Sequence, residues 1–391
     1  MVKKFMVKKK KQPFFPFISL LNKRGQIRGV DFALAMLIFI LVFSQVILVL
    51  STLIFPSLLQ LETFSHEEEL RKIYHAVFYS EGVPANWAEI PTSSLSNFRF
   101  GLALNKNKEL DFSKINRLVS DVSDYWRISY LNAKISYSLT RDFAIEVSSP
   151  LDIIINSVNV AFGEMTISGN VQYFAENLTD VRVWAFAIDT NNNVATNTTT
   201  TKKLSGNTIG FVSTLNINSS QAYSIAVFAE YGMFQTYELL RMTRESGSLE
   251  YYYSSFDFRP FARSYSSSPS KVEVFSPRDV LSDEAEGFIL FPFTNTEVKY
   301  FKVNLDKKTT EEGEIYYGIL PVPAKGFAVM LVQERVGDTY RAGYIGIPNI
   351  LTFTEGGLFG PNVQAITSSA VSVSHYLIVR DVLIRCRMWY W

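Results

Sequence analysis

Three histidines (His66, His75, His375) and one cysteine (Cys386) are the only nitrogen and sulfur metal ligands in this 391-residue chain. A zinc site needs three or four such ligands at short spacing, as in H-E-x-x-H or paired C-x-x-C. His66 and His75 stand nine apart, and no cysteine pair exists. Ordinary surface or core histidines are therefore expected, and no intrachain disulfide can form. The sequence contains no G-x-S-x-G, no P-loop and no G-x-G-x-x-G. Gly356, Gly357 and Gly360 flank Leu358-Phe359 with no following helix start, which reads as a turn. Glu67-Glu68-Glu69 reads as a solvated helix face. Cys386 lies between Arg385 and Arg387, whose charge would activate a thiol only from the same side. Strand alternation sends them to the opposite face, so an inert, packed thiol is expected. No catalytic residue, cofactor or metal ligand is assigned, and the chain is not expected to be an enzyme.

The strongest physical signal is one of solvent. Phe32–Phe55 runs 24 residues without a charge, and 17 of them are Leu, Ile, Val or Phe. As a helix it would cover ~36 Å, more than a ~30 Å hydrocarbon core. Those apolar residues contribute about −7 kcal/mol to insertion, which Ser44, Gln45, Ser51 and Thr52 do not reverse. The charge balance agrees. Residues 1–28 carry nine Lys or Arg and no acid. Without them the remainder holds 29 basic and 37 acidic residues, net −8. Basic residues on one side and Glu67–Glu69 on the other put the N-terminus in the cytoplasm and the bulk outside. Lys8–Lys11 could face nucleic acid or anionic lipid, but beside such a helix it serves as a topology signal, so lipid is the expected partner and nucleic acid is not. A secretory signal peptide would have a shorter apolar core and a small-residue cleavage site.

Lys23-Arg24-Gly25-Gln26, followed by Ile27-Arg28-Gly29-Val30-Asp31-Phe32, resembles an archaeal class III signal peptide, as found in type IV pilin-like proteins. The resemblance implies cleavage by a prepilin-type signal peptidase between Gly25 and Gln26, so Arg24, Gly25 and Gln26 would form the processing site. Gln26/Ile27 is a second position for the cut. Pilins place an acid at the fifth mature position, whereas Asp31 would be sixth after the first cut. The helix would then stay attached and pack against other pilin-like subunits. Further segments are similar to the same group: Ser80-Glu81-Gly82-Val83-Pro84-Ala85-Asn86-Trp87, Gly101–Leu104, Leu110–Ile115, and Tyr376–Asp381 on to Trp391. With the N-terminal match these segments name 44 of the 391 residues. Asp31 has a reason independent of the family, because an acid beside hydrocarbon needs a partner. That partner is either a freed α-amine of a neighbouring subunit or the N-terminus of its own helix, which Asp31 would cap.

These observations predict a single N-terminal transmembrane helix followed by α+β and mainly-β extracytoplasmic domains. Residues 1–25 form the leader, 26–56 the transmembrane helix and 57–150 a membrane-proximal α/β domain. An Ig-like β-sandwich is expected over 151–250 and a C-terminal β domain over 251–391, its last strand pairing with the 57–150 domain. Pro56 should interrupt or kink the helix, and Ser65-x-x-Glu68 reads as a capping box. Asp111 should cap a helix reaching Val119. Lys134–Leu139 and Phe143–Val147 read as strands, Thr196–Thr201 as a polar hairpin tip or loop, and Ser264–Ser270 as a linker. Sequons at Asn177, Asn197 and Asn218 are open to glycosylation outside the cell, although chance alone supplies about as many. The expected function is that of a membrane-anchored cell-surface protein, pilin-like by resemblance, displaying its β region for adhesion. A stand-alone signal-anchored envelope protein is the alternative, and a surface enzyme ranks below both.

Overall fold

The structure, a computed structural model, describes residues 23–391 apart from 96, 106–108, 120–125, 205, 207, 246, 266–267, 276–284, 295–296, 311–312, 337–338, 352–358 and 362–369. The side chains of 23–28, 56–63, 268–269, 310, 313, 336 and 339 are also outside the description. The chain divides into two compact units between Ser65 and His66.

The described residues of the first unit are helical. Helix α1 spans Lys23–Val49, a π-helical stretch covers Leu50–Ile54, and α2 follows as Phe55–Phe78. The α-helical pattern is interrupted just before Pro56 by this π-helical stretch, while the chain stays helical through the proline. Ser65 lies inside α2, so its capping-box reading is corrected.

The second unit contains a three-stranded antiparallel terminal sheet in the order Val371–Val379, Val382–Tyr390, Phe143–Ser148. The final segment is thus a hairpin rather than one strand. Arg380 and Asp381 both take positive φ (51° and 66°), the backbone of a two-residue turn matched to strand twist. The strand Val382–Tyr390 pairs with Phe143–Ser148 from Arg385↔Ser148 to Tyr390↔Phe143. Leu70, Ile73, Tyr74, Val77 and Phe78 of α2 are buried, and Tyr74 donates its hydroxyl to the Cys386 carbonyl at 3.2 Å.

Residues 151–254 form two five-stranded sheets. The first is built on Leu151–Ala161, Glu164–Tyr173 and Ile209–Asn216, with Lys202–Lys203 and Glu176–Asn177 at its margins. The second runs Tyr252–Ser254, Phe234–Thr243, Ala222–Tyr231, Arg182–Asp189, Val194–Thr200. Met165, Ile167, Val183, Ala185, Ala187, Ile225 and Val227 fill the core between them. The alternate residues of the second sheet, Trp184, Phe186, Ile188, Ala226 and Phe228, point the other way into a larger core. That core also contains a seven-stranded antiparallel sheet over 261–347, whose Phe288, Leu290, Val329 and Leu331 are buried there. Two-sided burial explains why Val-Trp-Ala-Phe-Ala-Ile and Ile-Ala-Val-Phe-Ala are continuous apolar runs. Residues 66–150 and the terminal sheet share the larger core as well.

Several local expectations are corrected. Lys134–Leu139 is not a strand: helix α4 covers Tyr130–Ser136, set by the Ser129 hydroxyl accepting from the Asn132 N–H at 3.4 Å. Asp111 does cap a helix, accepting from Ser113 N–H at 2.8 Å, but that helix, α3, is only Phe112–Asn116. Val194–Thr200 is an edge strand, because β-branched Thr suits a pleat and an edge needs no apolar outer face. Ser264–Ser270 joins two paired strands, Phe261–Tyr265 and Ser268–Phe275, so it is not a linker.

Two buried cations of α3 and its C-terminus hold the loop that begins at Ser80. Lys114 Nζ donates to the Glu81 carbonyl at 2.9 Å and to Ala103 at 2.8 Å. Arg117, wholly buried, donates to the carbonyls of Trp87, Ile90 (2.7 Å) and Trp126 (2.5 Å) and to Thr92 Oγ1 (3.0 Å). It also lies 5.3 Å from the centre of the Trp87 ring. Trp87 in turn donates Nε1–H to the Gly101 carbonyl at 2.9 Å. Gly82 takes φ +81°, and a Cβ there would sit 2.6 Å from the Arg99 oxygen, so only glycine fits. The Ser80–Trp87 motif is therefore a structural tie. Replacing Arg117 by Met keeps bulk but strips three carbonyls and a hydroxyl of their donor. We expect a loss of about 3–5 kcal/mol in urea unfolding, the scale for removing one side of a buried charged network.

Candidate functional site

Gly29–Ile54 is a 26-residue helical stretch of mean hydropathy 2.9, with none of it buried. Leu37, Leu41 and Leu48 are all more than half exposed. Its hydroxyls are satisfied locally. Ser44 Oγ donates to Ile40 O (2.6 Å), Ser51 Oγ to Leu48 O (3.1 Å) and Thr52 Oγ1 to the same carbonyl (2.6 Å). Such back-bonding removes most of the cost of a hydroxyl in lipid. Asp31 is exposed and lies in the interior of α1, eight residues after Lys23, so the cap reading for this residue is corrected. Arg24, Gly25 and Gln26 belong to the α1 backbone, and their side chains lie outside the described residues.

The potential metal and thiol ligands do not assemble into a common site. His66 packs edge-on to Tyr390, with ring centres 6.4 Å apart. His75 stacks on Tyr79 at 4.7 Å, and His375 lies 5.2 Å from Tyr74. Among the described residues, no group of three or more His, Cys, Asp or Glu is arranged to hold a metal ion. Cys386 is fully buried, and burial pushes its thiol well above the usual range, with Glu146 adding to the rise. The flanking Arg385 turns to the other face, where it pairs with Glu146 Oε1 at 2.9 Å. Glu68, in the acidic run, pairs with Lys72 at 2.8 Å on the exposed helix face. Gly356 and Gly357 fall outside the described residues.

Among the described residues of the second unit, one surface cavity, of about 570 Å³, is lined by Thr92, Leu95, Arg99, Ile128, Asn132 and Ile135 and no carboxylate lines it. Another, of about 350 Å³, contains Glu146 and Arg385, already committed to each other, with the Ser148 hydroxyl donating to the same carboxylate at 3.0 Å, and has Asp152 and Glu238 in its lining as well.

The sandwich over 151–254 presents its most unusual surface at one end. Its 231–234 turn touches the terminal sheet, where Leu383 N–H reaches Met233 O at 3.1 Å. The opposite end gathers the loops 161–164, 189–194, 217–221 and 243–252. There Phe162 is fully exposed at the turn of a long hairpin with φ +50°, followed by Gly163 at +83°. Leu249 is 86% exposed, and Tyr252 and Tyr253 are exposed as well. A bulky residue in left-handed backbone carries strain and here has no packing to repay it. Of the sequons, Asn218 lies exposed at this end. Asn177 accepts from Asn170 and Gln172, and Asn197 donates its amide to Thr214 O at 2.9 Å.

Sequence reasoning missed Phe162, because an aromatic residue in a strand-rich stretch reads as core. The Phe-Gly pair before a second alternating run was the available signal for a two-residue turn. No protein-family model matches the chain, and no curated protein matches it.

Two measurements follow. The Cys386 thiol should resist maleimide in the folded chain from about pH 7 to about pH 9, since a raised pKa keeps it protonated there, and should label fully once urea unfolds the protein. Phe162→Asn should raise stability by about 0.5–1 kcal/mol in chemical denaturation, because Asn enters left-handed backbone more readily and no burial is lost.

Proposed function

We propose that this chain is a pilin-like cell-surface protein, anchored by α1 with its N-terminus in the cytoplasm and residues 57–391 outside. The observation that carries this reading is the Gly29–Ile54 helix, free of charge from Phe32 onward and with no buried side chain, joined in sequence to a large β-rich unit. Exposed apolar surface of that extent needs lipid or other helices as its surroundings. Nine basic residues precede it and none of the first 28 is acidic, which favours the cytoplasmic side for the N-terminus.

In this reading a prepilin-type signal peptidase acts at Arg24, Gly25 and Gln26. The retained helix then packs with like helices, and Asp31 meets the freed α-amine of a neighbouring subunit. At 391 residues the chain suits a minor or tip subunit of a type IV pilus-like filament better than its repeating body. The face-to-face sheets of 151–254 are read as an Ig-like sandwich, and the end carrying Phe162, Leu249, Tyr252 and Tyr253 as the contact surface. Exposed rings among Ser, Asn and Gly give contact area at low entropic cost, which suits adhesion.

Mass spectrometry of the chain extracted from membranes of its own host tests the processing step. A mature chain beginning at Gln26 or Ile27 is expected, and Gly25→Val should leave it at full length. A wild-type chain that begins at Met1 would instead assign it to the stand-alone signal-anchored proteins. Protease added to intact cells should remove most of residues 57–391; full protection would overturn the orientation.

A further inference from the structure

The second unit carries a cavity that the reading above leaves unused. It encloses about 570 Å³, within the range of small-molecule sites, and its walls come from 92–99, Ile128 and α4. These walls are held from behind. Arg117 donates to Ile90 O at 2.7 Å and to Thr92 Oγ1 at 3.0 Å. Arg99 exchanges two main-chain hydrogen bonds with Val83, its N–H donating at 3.0 Å and its carbonyl accepting at 2.8 Å. Tyr137, directly after α4, donates its hydroxyl to the carbonyls of Phe100 and Ala76. A cavity with walls fixed in this way costs little to order when a ligand enters.

The charge lining it is one-sided. Arg99 is exposed at the wall, and its guanidinium makes no ion pair or hydrogen bond among the described residues. The amide of Asn97, two residues earlier, is equally unengaged among them. Other polar groups of the wall are in use. Thr92 Oγ1 accepts from Arg117, and Ser136 Oγ donates to Ala133 O at 2.7 Å. Leu95, Phe98, Ile128 and Ile135 make the rest of the wall largely apolar. Ile135 stays 64% exposed, and Leu131, one helical turn before it, stays 61% exposed. Two large aliphatic side chains on the same exposed face of α4 extend the apolar surface beyond the cavity.

We propose that this cavity binds a small organic carboxylate with an apolar body, the carboxylate on Arg99 and Asn97 and the body against Leu95, Phe98 and Ile135. A guanidinium receives a carboxylate through two parallel N–H···O bonds, and no carboxylate of the cavity competes for it. A neutral ligand would cover Arg99 without meeting its charge. A sugar acid would bring more hydroxyls than Arg99 and Asn97 can satisfy, and would set several of them against apolar wall. The site is built from residues 92–136 and asks nothing of α1, so it goes beyond the reading above and does not stand or fall with it.

The test is titration calorimetry of the full chain in phosphatidylcholine nanodiscs, with the heats of empty nanodiscs subtracted. Phenylacetate is the probe. It is expected to bind at least about tenfold more tightly than 2-phenylethanol, which lacks the charge, acetate, which lacks the body, and glucuronate, whose body is polyhydroxylated. Arg99→Gln should weaken phenylacetate roughly tenfold or more, and Arg99→Lys by less, since lysine keeps the charge but not the fork. Ile135→Asp, which sets a like charge against the ligand, should weaken it by a similar factor to Arg99→Gln. Both positions are exposed, so each variant should keep the urea midpoint of the parent. If one does not, the ligand series on the parent chain decides alone. Equal binding of 2-phenylethanol or glucuronate overturns the proposal, as does unchanged binding by a folded Arg99→Gln chain. So does the absence of any phenylacetate response up to about 10 mM, the weak limit for a ligand of this size. Tighter binding of phenyl phosphate than of phenylacetate reassigns the cavity to phosphate and overturns the carboxylate.

Discussion

A helix of two dozen apolar residues with no folded partner cannot be left in water, and this constraint governs everything else that can be said of the chain's role. Seventeen large aliphatic or phenyl side chains project from Phe32–Phe55 without a charge between them. Within the described residues, none of Gly29–Ile54 is covered by the protein. Hydrophobic burial is the dominant favourable force available to a polypeptide, and the described residues supply none to this helix, which is long and apolar enough to cross a membrane. The self-bonded hydroxyls of Ser44, Ser51 and Thr52 fit that solvent, because in hydrocarbon a hydroxyl must be paired within reach.

The second unit solves the opposite problem, that of covering apolar surface with protein alone. Its central device is the sheet formed by Arg182–Asp189, Ala222–Tyr231 and Phe234–Thr243, with edge strands to either side, which buries both faces. One face closes the sandwich over 151–254. The other lies on the larger core that also receives α2, the seven-stranded sheet and the terminal sheet. Trp184 ties the layers by donating Nε1–H to the Phe293 carbonyl at 2.6 Å. A sheet of this kind couples two cores, so a cavity opened on either side would be felt through the same strands.

The extent to which this was legible in the sequence follows from what each signal reports. The apolar N-terminal helix was legible because length and composition alone mark it. Most strands of the second unit were legible from alternation or from short apolar runs bounded by turns. The second burial of the Trp184 strand was not, since an apolar run says that both faces are covered without saying by what. Lys134–Leu139 failed because a seven-residue helix with mixed exposure imitates a period of two, and the deciding feature was one serine hydroxyl at Ser129. Val194–Thr200 failed for the reverse reason, since a polar edge strand has no apolar face to announce it. Nothing in the sequence marks Lys114 and Arg117 as buried, because most of their partners are main-chain carbonyls, up to 33 residues away, and carbonyls carry no sequence signature.

These cations also explain why the Ser80–Trp87 segment resembles a family motif without offering chemistry. Each of its constrained residues serves the tie: Gly82 for the close approach of backbone, Trp87 as the plate under Arg117, Glu81 and Trp87 through their carbonyls. A loop tied in this way takes its shape from these contacts, whatever the rest of the molecule binds. Phe162 has the contrary property, full exposure without a packing role, in left-handed backbone that its side chain does nothing to stabilise.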